Sequence, residues 1–423
     1  MSPNTEKDDI GLALKLLFHP FCWQKGRGKN YAIAQFLPRG NFVELVEEEF
    51  KKYLGIKYAV SFNSGRSGLM AILEAMEIKE SDEILLQAFT CNSAVNPILK
   101  RGANPVFVDI DGTLNLNPED LKRKITPRSK AVMVQHNFGW PARIEEISKI
   151  ARENNLFLIE DCAHSLGAKF KGRFCGTFGE AAFFSFGRDK IISSVFGGMA
   201  VTNNEKIGER LRVFQEKLDY PANCWIFQQL LHPVLMNWKV MPAFAIHPFL
   251  GRMVLGVFHQ LSVLSKAVYK KEKKGKIPAQ FPKRLPNALA ILALNQFRKL
   301  DRFNAHRREI ADFYIRELYG FNLPLAKSQE GIEPTFMRYP VLIKKETGGI
   351  LKEARKRKIY LDDGWRKSIV IPPDTDIGEM RYVSGSCPEA EKVAKSILNL
   401  PTHINISKKE AQKIVEFIKR YAP

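Results

Sequence analysis

The chain has 423 residues, of which 45% are hydrophobic and 26% charged; this is typical of a globular protein of two or three structural units and excludes a disordered one. Its formal net charge of +20 predicts an attraction for anions such as nucleotides, phosphorylated substrates, acidic lipids or nucleic acid, without choosing among them. The six cysteines contain no C-x-x-C pair, so we expect neither a metal site nor a disulfide framework.

The same features lead us to expect a cytoplasmic location. Widely spaced cysteines fit a reducing compartment, and the mixed acids and bases of residues 1–9 are not typical of a secretory signal. No nucleic-acid recognition motif accompanies the positive charge, so we expect no nucleic-acid partner.

Residues 1–40 form an apolar and basic N-terminal segment. Its positions 10–23 are mostly apolar and aromatic, and the basic, glycine-rich stretch QKGRGK follows them. Residues 44–54 then have the spacing of an amphipathic helix, with Phe50 and Leu54 four positions apart.

An alternation of strands and helices extends over residues 41–215. Short β-rich runs predict seven strands, at 58–62, 84–88, 105–110, 130–135, 156–159, 181–186 and 198–202. Helical patterns separate most of them, for example at 68–76, 118–124 and 144–154. This order predicts an α/β fold, with a three-layer α/β/α large domain around a mostly parallel seven-stranded sheet. Ligands of such sheets bind beyond the carboxyl ends of the strands.

The region 216–283 interrupts this pattern, and we interpret it as an apolar and basic helical insertion. Residues 220–264 are rich in Leu, Phe, Trp and Met, with Lys239 and Arg252 as their only charges. A run of lysines follows at 266–276, with Glu272 as its one acid.

Residues 284–423 return to ordinary helix and strand patterns. Helices are predicted at 287–300, 306–318, 388–398 and 408–421, and short strands at 338–343 and 369–371. We interpret this part as a linking helix and a smaller C-terminal α/β domain.

A buried hydrophobic strand ends in two acids in the segment LFLIEDCAHS, residues 156–165. If Asp161 faces a pocket, its carboxylate can keep a pyridine nitrogen protonated, so that the ring accepts electrons from a substrate carbanion. The plainer interpretation is that Asp161 caps the next helix, and the segment alone favours it.

Lys190 follows another predicted strand, in the segment AFFSFGRDKIISSVFGG of residues 182–198. A lysine in this loop can form an imine with an aldehyde and then carry a proton to and from a substrate carbon. Most lysines are instead solvated surface residues.

A third segment, VSFNSGRSGL at residues 60–69, contains a strand that gives way to a helix. The N–H groups at such a helix N-terminus, with serine and arginine side chains beside them, form a suitable phosphate site. Many strand-to-helix turns contain Ser and Gly, so this signal is weak by itself.

Taken together and in this order, the segments resemble the DegT/DnrJ/StrS family of pyridoxal-phosphate (PLP) dependent sugar aminotransferases. The corresponding motifs here are SGRS (64–67), GANPVFVD (102–109), HNFGWP (136–141), EDCAH (160–164), SFGRDK (185–190) and GG (197–198). PEAE (388–391) and LNLPTH (398–403) also fit the family's C-terminal pattern. The resemblance covers roughly residues 40–215 and 284–420 and implies the aspartate-aminotransferase fold, PLP fold type I.

The resemblance also implies roles for single residues. Lys190 would be the catalytic lysine that forms the Schiff base with PLP, and Asp161 would be the catalytic partner of the pyridine nitrogen. The other implied cofactor-binding residues contact the phosphate, the phenolic oxygen or the ring: Ser64, Gly65, Arg66, Ser67, Phe89, Cys91, His164 and Ser185. The family further implies a homodimer with its sites at the subunit interface.

Four positions depart from the family's motifs. Cys91 replaces an aromatic residue that stacks on the PLP ring, so either Phe89 takes that place or the ring loses its aromatic face. Arg66 replaces a threonine of the phosphate loop and is itself a good phosphate donor. Phe196 stands in place of a glutamate, and Pro282 in place of an asparagine that reaches the neighbouring subunit's phosphate.

The insertion has two interpretations. No run reaches the roughly 20 apolar residues that a membrane-spanning helix needs. Its helices either pack on the partner subunit or roof the active site, which is the commoner fate of such segments. Alternatively, residues 220–276 lie peripherally on the inner face of a membrane, with aromatic side chains inserted and the lysines of 270–276 on anionic lipid.

The predicted function is transfer of an amino group from glutamate or glutamine to a keto-sugar acceptor on a phosphate carrier such as a nucleotide. One alternative is a PLP-dependent dehydratase or other eliminating enzyme, but the family's dehydratases replace the lysine by histidine. The other is a non-catalytic sensor or scaffold with a PLP fold, which the changes at Phe196 and Pro282 motivate. Arg66, Arg188 and Arg284 all remain candidates for a carboxylate-binding arginine.

Overall fold

The computed structural model describes residues 4–18, 41–325, 330–343, 347–361 and 364–421. The α-helices are α1 (Lys7–Leu17), α2 (Phe42–Leu54), α3 (Gly65–Ala75), α4 (Asn92–Lys100), α5 (Pro118–Lys124), α6 (Ile144–Glu153), α7 (Glu205–Glu216), α8 (Asn223–Leu235), α9 (Met241–Ile246), α10 (Pro248–Gln260), α11 (Asn287–Phe297), α12 (Leu300–Glu317), α13 (Thr347–Lys356), α14 (Pro388–Ser396) and α15 (Lys408–Ile418). The strands are β1 (Tyr58–Phe62), β2 (Glu83–Gln87), β3 (Thr90–Cys91), β4 (Asn104–Val108), β5 (Ser129–Gln135), β6 (Phe157–Asp161), β7 (Lys169–Phe170), β8 (Arg173–Phe174), β9 (Ala181–Ser185), β10 (Gly198–Thr202), β11 (Ile332–Glu333), β12 (Arg338–Leu342), β13 (Val370–Ile371) and β14 (Ile397–Pro401).

The central sheet has seven strands in the order β1-β10-β9-β6-β5-β2-β4. Neighbours from β9 to β4 pair in parallel, whereas β10 is antiparallel to both β1 and β9. The expected seven-stranded, mostly parallel sheet is therefore confirmed. Each of its strands lies within two residues of the predicted bounds.

Helices cover both faces of this sheet, which explains why its strands are apolar throughout. On β2, Ile84 and Leu86 belong to an apolar cluster that includes residues of α3. Leu85 between them points to the opposite face and belongs to a cluster with α5 and α6. The three-layer α/β/α arrangement is thus confirmed.

The C-terminal part joins the large domain next to the carboxyl end of β2. Strands β12 and β14 pair antiparallel, and α13 to α15 accompany them. Strand β13 pairs in parallel with β3, so that Val370 lies opposite Thr90 and Ile371 opposite Cys91. This short pairing places the C-terminal part against the residues that follow β2.

The insertion forms the helices α8, α9 and α10, and a π-helical turn, Met236–Val240, joins the first two. Helix α1 packs against α8 and α11, with Ala13 and Leu16 fully buried, so this part of the N-terminal segment belongs to the core. Residues 19–40, the remainder of that segment, lie outside the described residues. Among the described helices, none combines the length and the hydropathy that crossing a membrane requires.

Candidate active site

A cavity of about 210 Å³ lies beyond the carboxyl ends of β5, β6 and β9 and beside the N-terminus of α3. Eight of the ten residues expected to bind the cofactor line it: Ser64, Gly65, Arg66, Cys91, Asp161, His164, Ser185 and Lys190. The two expected residues that do not line it are Ser67 and Phe89. This is the position at which ligands bind in open parallel sheets.

Asp161 is the last residue of β6, and its carboxylate is buried in the cavity wall. Gln135 Nε2 donates to its Oδ2 at 2.7 Å, and the Ala163 N–H donates to its Oδ1 at 2.9 Å. Burial raises the pKa of Asp161, and these two donors together with the Lys190 charge oppose the rise. Turns rather than an α-helix follow Asp161, so it is not a helix cap.

Lys190 and His164 are in direct contact in the cavity, because Lys190 Nζ lies 3.0 Å from His164 Nε2. The Phe138 N–H points to His164 Nδ1 at 3.4 Å, and the edge of the Trp365 ring faces the imidazole at 4.8 Å. Burial, together with the charges of Lys190 and Arg338, holds the pKa of His164 well below its ordinary value. His164 is therefore a neutral polar neighbour of the lysine.

The backbone of the Lys190 loop is fixed by two residues far away in the sequence. Asn4 Nδ2 donates to the Lys190 carbonyl at 2.5 Å and to the Ile191 carbonyl at 3.1 Å. The buried Arg307 donates to the Ile191 carbonyl and to Asn4 Oδ1, each at 2.7 Å. Burial lowers the pKa of Arg307 to about 9. These contacts hold the loop in place, and no local pattern around Asn4 or Arg307 predicted them.

The N-terminus of α3 is built by serine hydroxyls and by close backbone contact. Ser64 caps the helix, since its Oγ accepts from the Ser67 N–H at 3.2 Å. The Ser67 hydroxyl donates to Asn63 Oδ1 at 2.8 Å and lies 2.8 Å from Ser64 Oγ, so it serves the turn rather than the cavity. A Cβ on Gly198 would lie 2.4 Å from the Gly65 nitrogen, which makes glycine necessary there.

Both arginines of the cavity wall are held by the insertion. Arg66 forms a salt bridge with the buried Glu272 and stacks over the Phe281 ring at 4.5 Å. Arg188 donates to the Ser265 carbonyl at 2.5 Å, and burial lowers its pKa to about 10. Ala267 and Val268 of the insertion also line the cavity. The third candidate arginine, Arg284, is not among the lining residues and lies over the ring of Tyr220 at 5.2 Å.

Three aromatic side chains line the cavity, Phe183, Phe196 and Trp365, and the sequence did not reveal Trp365 as a site residue. Phe89 is fully buried behind it, with its ring edge-on to Trp365 at 5.6 Å and 6.4 Å from the ring of Phe138. The expectation that Phe89 replaces the missing aromatic residue at Cys91 therefore has no support in this arrangement. Cys91 itself lines the cavity, and burial raises the pKa of its thiol.

The residues of the cavity fit PLP. A buried carboxylate suits a pyridine nitrogen, a lysine amine suits an aldehyde, and a helix N-terminus suits a phosphate. Asp161, Lys190 and Gly65 supply these three features around one cavity.

Comparisons with known proteins agree with this geometry. The model of the DegT/DnrJ/EryC1/StrS aminotransferase family matches residues 29–218 and 257–419, on either side of α8 and α9. GDP-perosamine synthase of Escherichia coli O157:H7 is 27% identical over 387 residues, which are 90% of this chain and 91% of that protein. UDP-N-acetyl-3-dehydro-alpha-D-glucosamine 3-aminotransferase of Acidithiobacillus ferrooxidans is 27% identical over 399 residues, covering 93% and 92%.

Solved structures confirm the fold. PseC of Helicobacter pylori, an aminotransferase involved in the biosynthesis of pseudoaminic acid, superimposes with a TM-score of 0.71 at 21% identity. The alignment covers 99% of this chain and 97% of that chain. The fold therefore extends over nearly the whole molecule.

Proposed function

Because the chain belongs to the DegT/DnrJ/EryC1/StrS aminotransferase family, and so is a PLP-dependent transaminase, we propose that it aminates a nucleotide-linked keto-sugar with glutamate or glutamine as donor. The observation that carries this proposal is the convergence of Lys190, Asp161 and the α3 N-terminus on one cavity. The GDP- and UDP-sugar names of the two relatives support the choice of acceptor.

Bound PLP supplies an electron sink for the pair left on the substrate carbon when a proton departs. In the proposed mechanism, Lys190 Nζ would hold the cofactor's aldehyde in the resting enzyme. During the reaction, Lys190 Nζ would be the base that accepts the proton from the donor's Cα and the acid that gives it back. The neutral His164, whose Nε2 lies 3.0 Å from Lys190 Nζ, would orient this amine without placing a second positive charge beside it.

Asp161 would keep the pyridine nitrogen protonated. Burial raises the pKa of its carboxyl and so disfavours the charged form. A pyridinium nitrogen opposite the carboxylate would supply a positive partner and lower the pKa. Gln135, whose Nε2 donates to the carboxylate at 2.7 Å, would hold the carboxylate in place.

The phosphate would be held by the N–H groups at the start of α3 and by the Ser185 hydroxyl, which line one side of the cavity. Arg66 lies beside them, but Glu272 neutralises its charge. Arg66 would therefore shape the phosphate site, and its charge, which is paired with Glu272, would add little to phosphate binding.

We also propose that the enzyme is a cytoplasmic homodimer whose insertion, residues 220–276, contacts the inner face of a membrane. Family resemblance supports the dimer, and the reducing-type cysteine pattern supports the compartment. The five cysteines of the described residues are all free thiols: Cys91, Cys162, Cys175, Cys224 and Cys387.

The test is the absorption spectrum of the purified protein with PLP, before and after addition of L-glutamate. We expect a visible band that depends on Lys190 and disappears as the aminated cofactor forms, and Lys190→Ala should bind PLP without that band. A band that no amino donor changes would favour a non-catalytic role. Ammonia or water released from a nucleotide sugar would favour an eliminating enzyme.

A further inference from the structure

The outward side of α10 is an apolar stripe. Phe249, Met253, Val257 and Leu261 follow one another at intervals of four residues, from the start of α10 to its C-cap. That spacing places them along one face of a helix. Their exposed fractions are 63%, 50%, 44% and 69%, so the stripe faces solvent along its whole length.

The stripe belongs to a helical hairpin made of the π-helical turn, α9 and α10. Helix α10 packs on α9 through Gly251, where an added Cβ would lie 2.2 Å from the Phe244 ring. Trp238 and Ile246 of the hairpin are also exposed. Of the fourteen exposed large hydrophobic residues in the described part of the chain, seven lie between positions 227 and 261: Phe227, Trp238, Ile246, Phe249, Met253, Val257 and Leu261.

All charges of this region have one sign. Residues 220–271 contain no aspartate or glutamate. Lys239 and Arg252 are exposed and lie next to Trp238 and Met253 in the sequence. Exposed apolar side chains flanked only by cations are typical of helices that lie on an anionic membrane surface.

The same charges disfavour a second copy of this chain as the partner of the stripe. In a twofold contact, Lys239 and Arg252 would meet the same cations of the other copy with no acid of residues 220–271 to pair with them. The hairpin is also too short to cross a bilayer, since the 13 residues of α10 span about 20 Å and a hydrocarbon core is about 30 Å thick.

We propose that the α9–α10 hairpin docks on an anionic bilayer surface, with the stripe in the lipid interface and Lys239 and Arg252 at the headgroups. This docking proposal rests on the proposed membrane contact of residues 220–276. It specifies which helix face contacts the membrane and that the lipids are anionic. Docking also places the active site near the membrane. Only three residues separate Leu261 at the end of the stripe from Ser265, which holds Arg188 in the cavity wall.

The test is co-sedimentation of the PLP-loaded protein with vesicles of phosphatidylcholine alone and of equal parts phosphatidylcholine and phosphatidylglycerol. We expect at least about tenfold tighter binding to the anionic vesicles, and weaker binding as sodium chloride rises. The double variant Phe249→Ser, Met253→Ser should lose at least about tenfold of that binding, and Arg252→Gln a smaller part.

Tyr319→Ser and Val383→Ser remove apolar side chains that are 93% and 70% exposed elsewhere on the surface, so they are matched controls. The proposal is overturned if the wild-type protein binds anionic vesicles no more tightly than neutral ones. It is also overturned if the control variants reduce binding as much as the stripe variants. It is also overturned if the stripe variants change only the oligomeric mass in solution, because a second copy would then cover the face.

The glutamate-dependent spectral change, recorded on every sample, separates this proposal from the enzymatic one. Vesicle binding without that change, when neither glutamate nor glutamine alters the spectrum, would leave the docking face standing and overturn the transaminase reaction. The reverse result would overturn docking alone.

Discussion

The active-site cavity and the α9–α10 hairpin distribute polar and apolar groups in opposite ways. In the cavity, the charged groups Asp161, Arg66 and Arg188 are shielded from water and bonded to fixed partners. On the hairpin, large apolar side chains such as Phe249 and Ile246 face solvent. Both arrangements cost free energy in an isolated chain. PLP would offset the first cost, and we propose that a lipid surface offsets the second.

Asp161→Asn, a substitution in the cavity, should have the largest effect on the reaction rate. An asparagine keeps the shape but cannot hold a pyridine nitrogen protonated, so the rate of the reaction with glutamate should fall by at least about 100-fold. Single-turnover absorbance kinetics measure this rate. Arg252→Gln on the hairpin should leave it unchanged, and retention of most of the rate by Asp161→Asn would contradict the assigned role.

A pair of glycine substitutions separates the two regions by their packing. A Cβ on Gly198 would contact the backbone of Ser64 and Gly65 at 2.4 Å, so Gly198→Ala should cost about 3 kcal/mol in the free energy of unfolding and weaken PLP binding. A Cβ on Gly256, in the middle of α10, meets nothing within 4 Å, and Gly256→Ala should stabilise by about 0.5–1 kcal/mol. Urea unfolding and PLP titration check both values, and equal effects at the two positions would contradict this account.

Glu272→Gln tests the contact between the cavity and the part of the insertion that follows the hairpin. The Glu272 side chain is almost completely buried, and it holds Arg66 at the cavity. Its neutralisation should cost about 1.5 kcal/mol of stability, since a charged hydrogen bond is lost. It should also tighten PLP binding, because no carboxylate would then offset the positive charge of Arg66 beside the phosphate. The exposed pair of Glu145 with Lys171 is the control, and Glu145→Gln should cost less than about 0.5 kcal/mol. Unchanged or weaker PLP binding would show that Arg66 does not reach the phosphate.

The sheet region could be predicted because its signals are local. The strand of residues 58–62 has the predicted bounds, since β-rich composition and flanking turns are visible in a short window. The antiparallel direction of β10 could not be read in that way, because pairing depends on where the chain returns. Eight of the ten expected site residues line the cavity. They could be predicted because the family's motifs occur in the same order along this chain.

The remaining site residues could not be predicted because they come from distant parts of the chain. Trp365 reaches the cavity from the C-terminal part, where β13 pairs with β3. Glu272 lies in a run of lysines that one of the two interpretations places on anionic lipid. Nevertheless, Glu272 is buried against Arg66, and Lys273 pairs with Asp374. Charge runs thus indicate composition, and only the tertiary packing shows which members are exposed.

The smallest expected effect concerns His232, a buried residue of α8 in the insertion. Burial and the nearby charge of Arg188 hold its pKa well below the ordinary value of about 6.5. Below that pH the unfolded chain binds a proton at His232 that the folded chain does not, so this residue makes stability fall as pH decreases. His232→Gln removes the difference and should recover at most about 1 kcal/mol relative to wild type between pH 6.5 and pH 5.5.

Urea unfolding of both proteins at the two pH values measures this recovery, because all other titrating groups cancel in the comparison. A variant that loses stability in parallel with wild type would mean that His232 becomes protonated without unfolding. The insertion would then hold a second buried charge besides that of Glu272, which is paired with Arg66. A recovery in His232→Gln would instead show that His232 stays uncharged in the folded protein at both pH values, as its burial in α8 predicts.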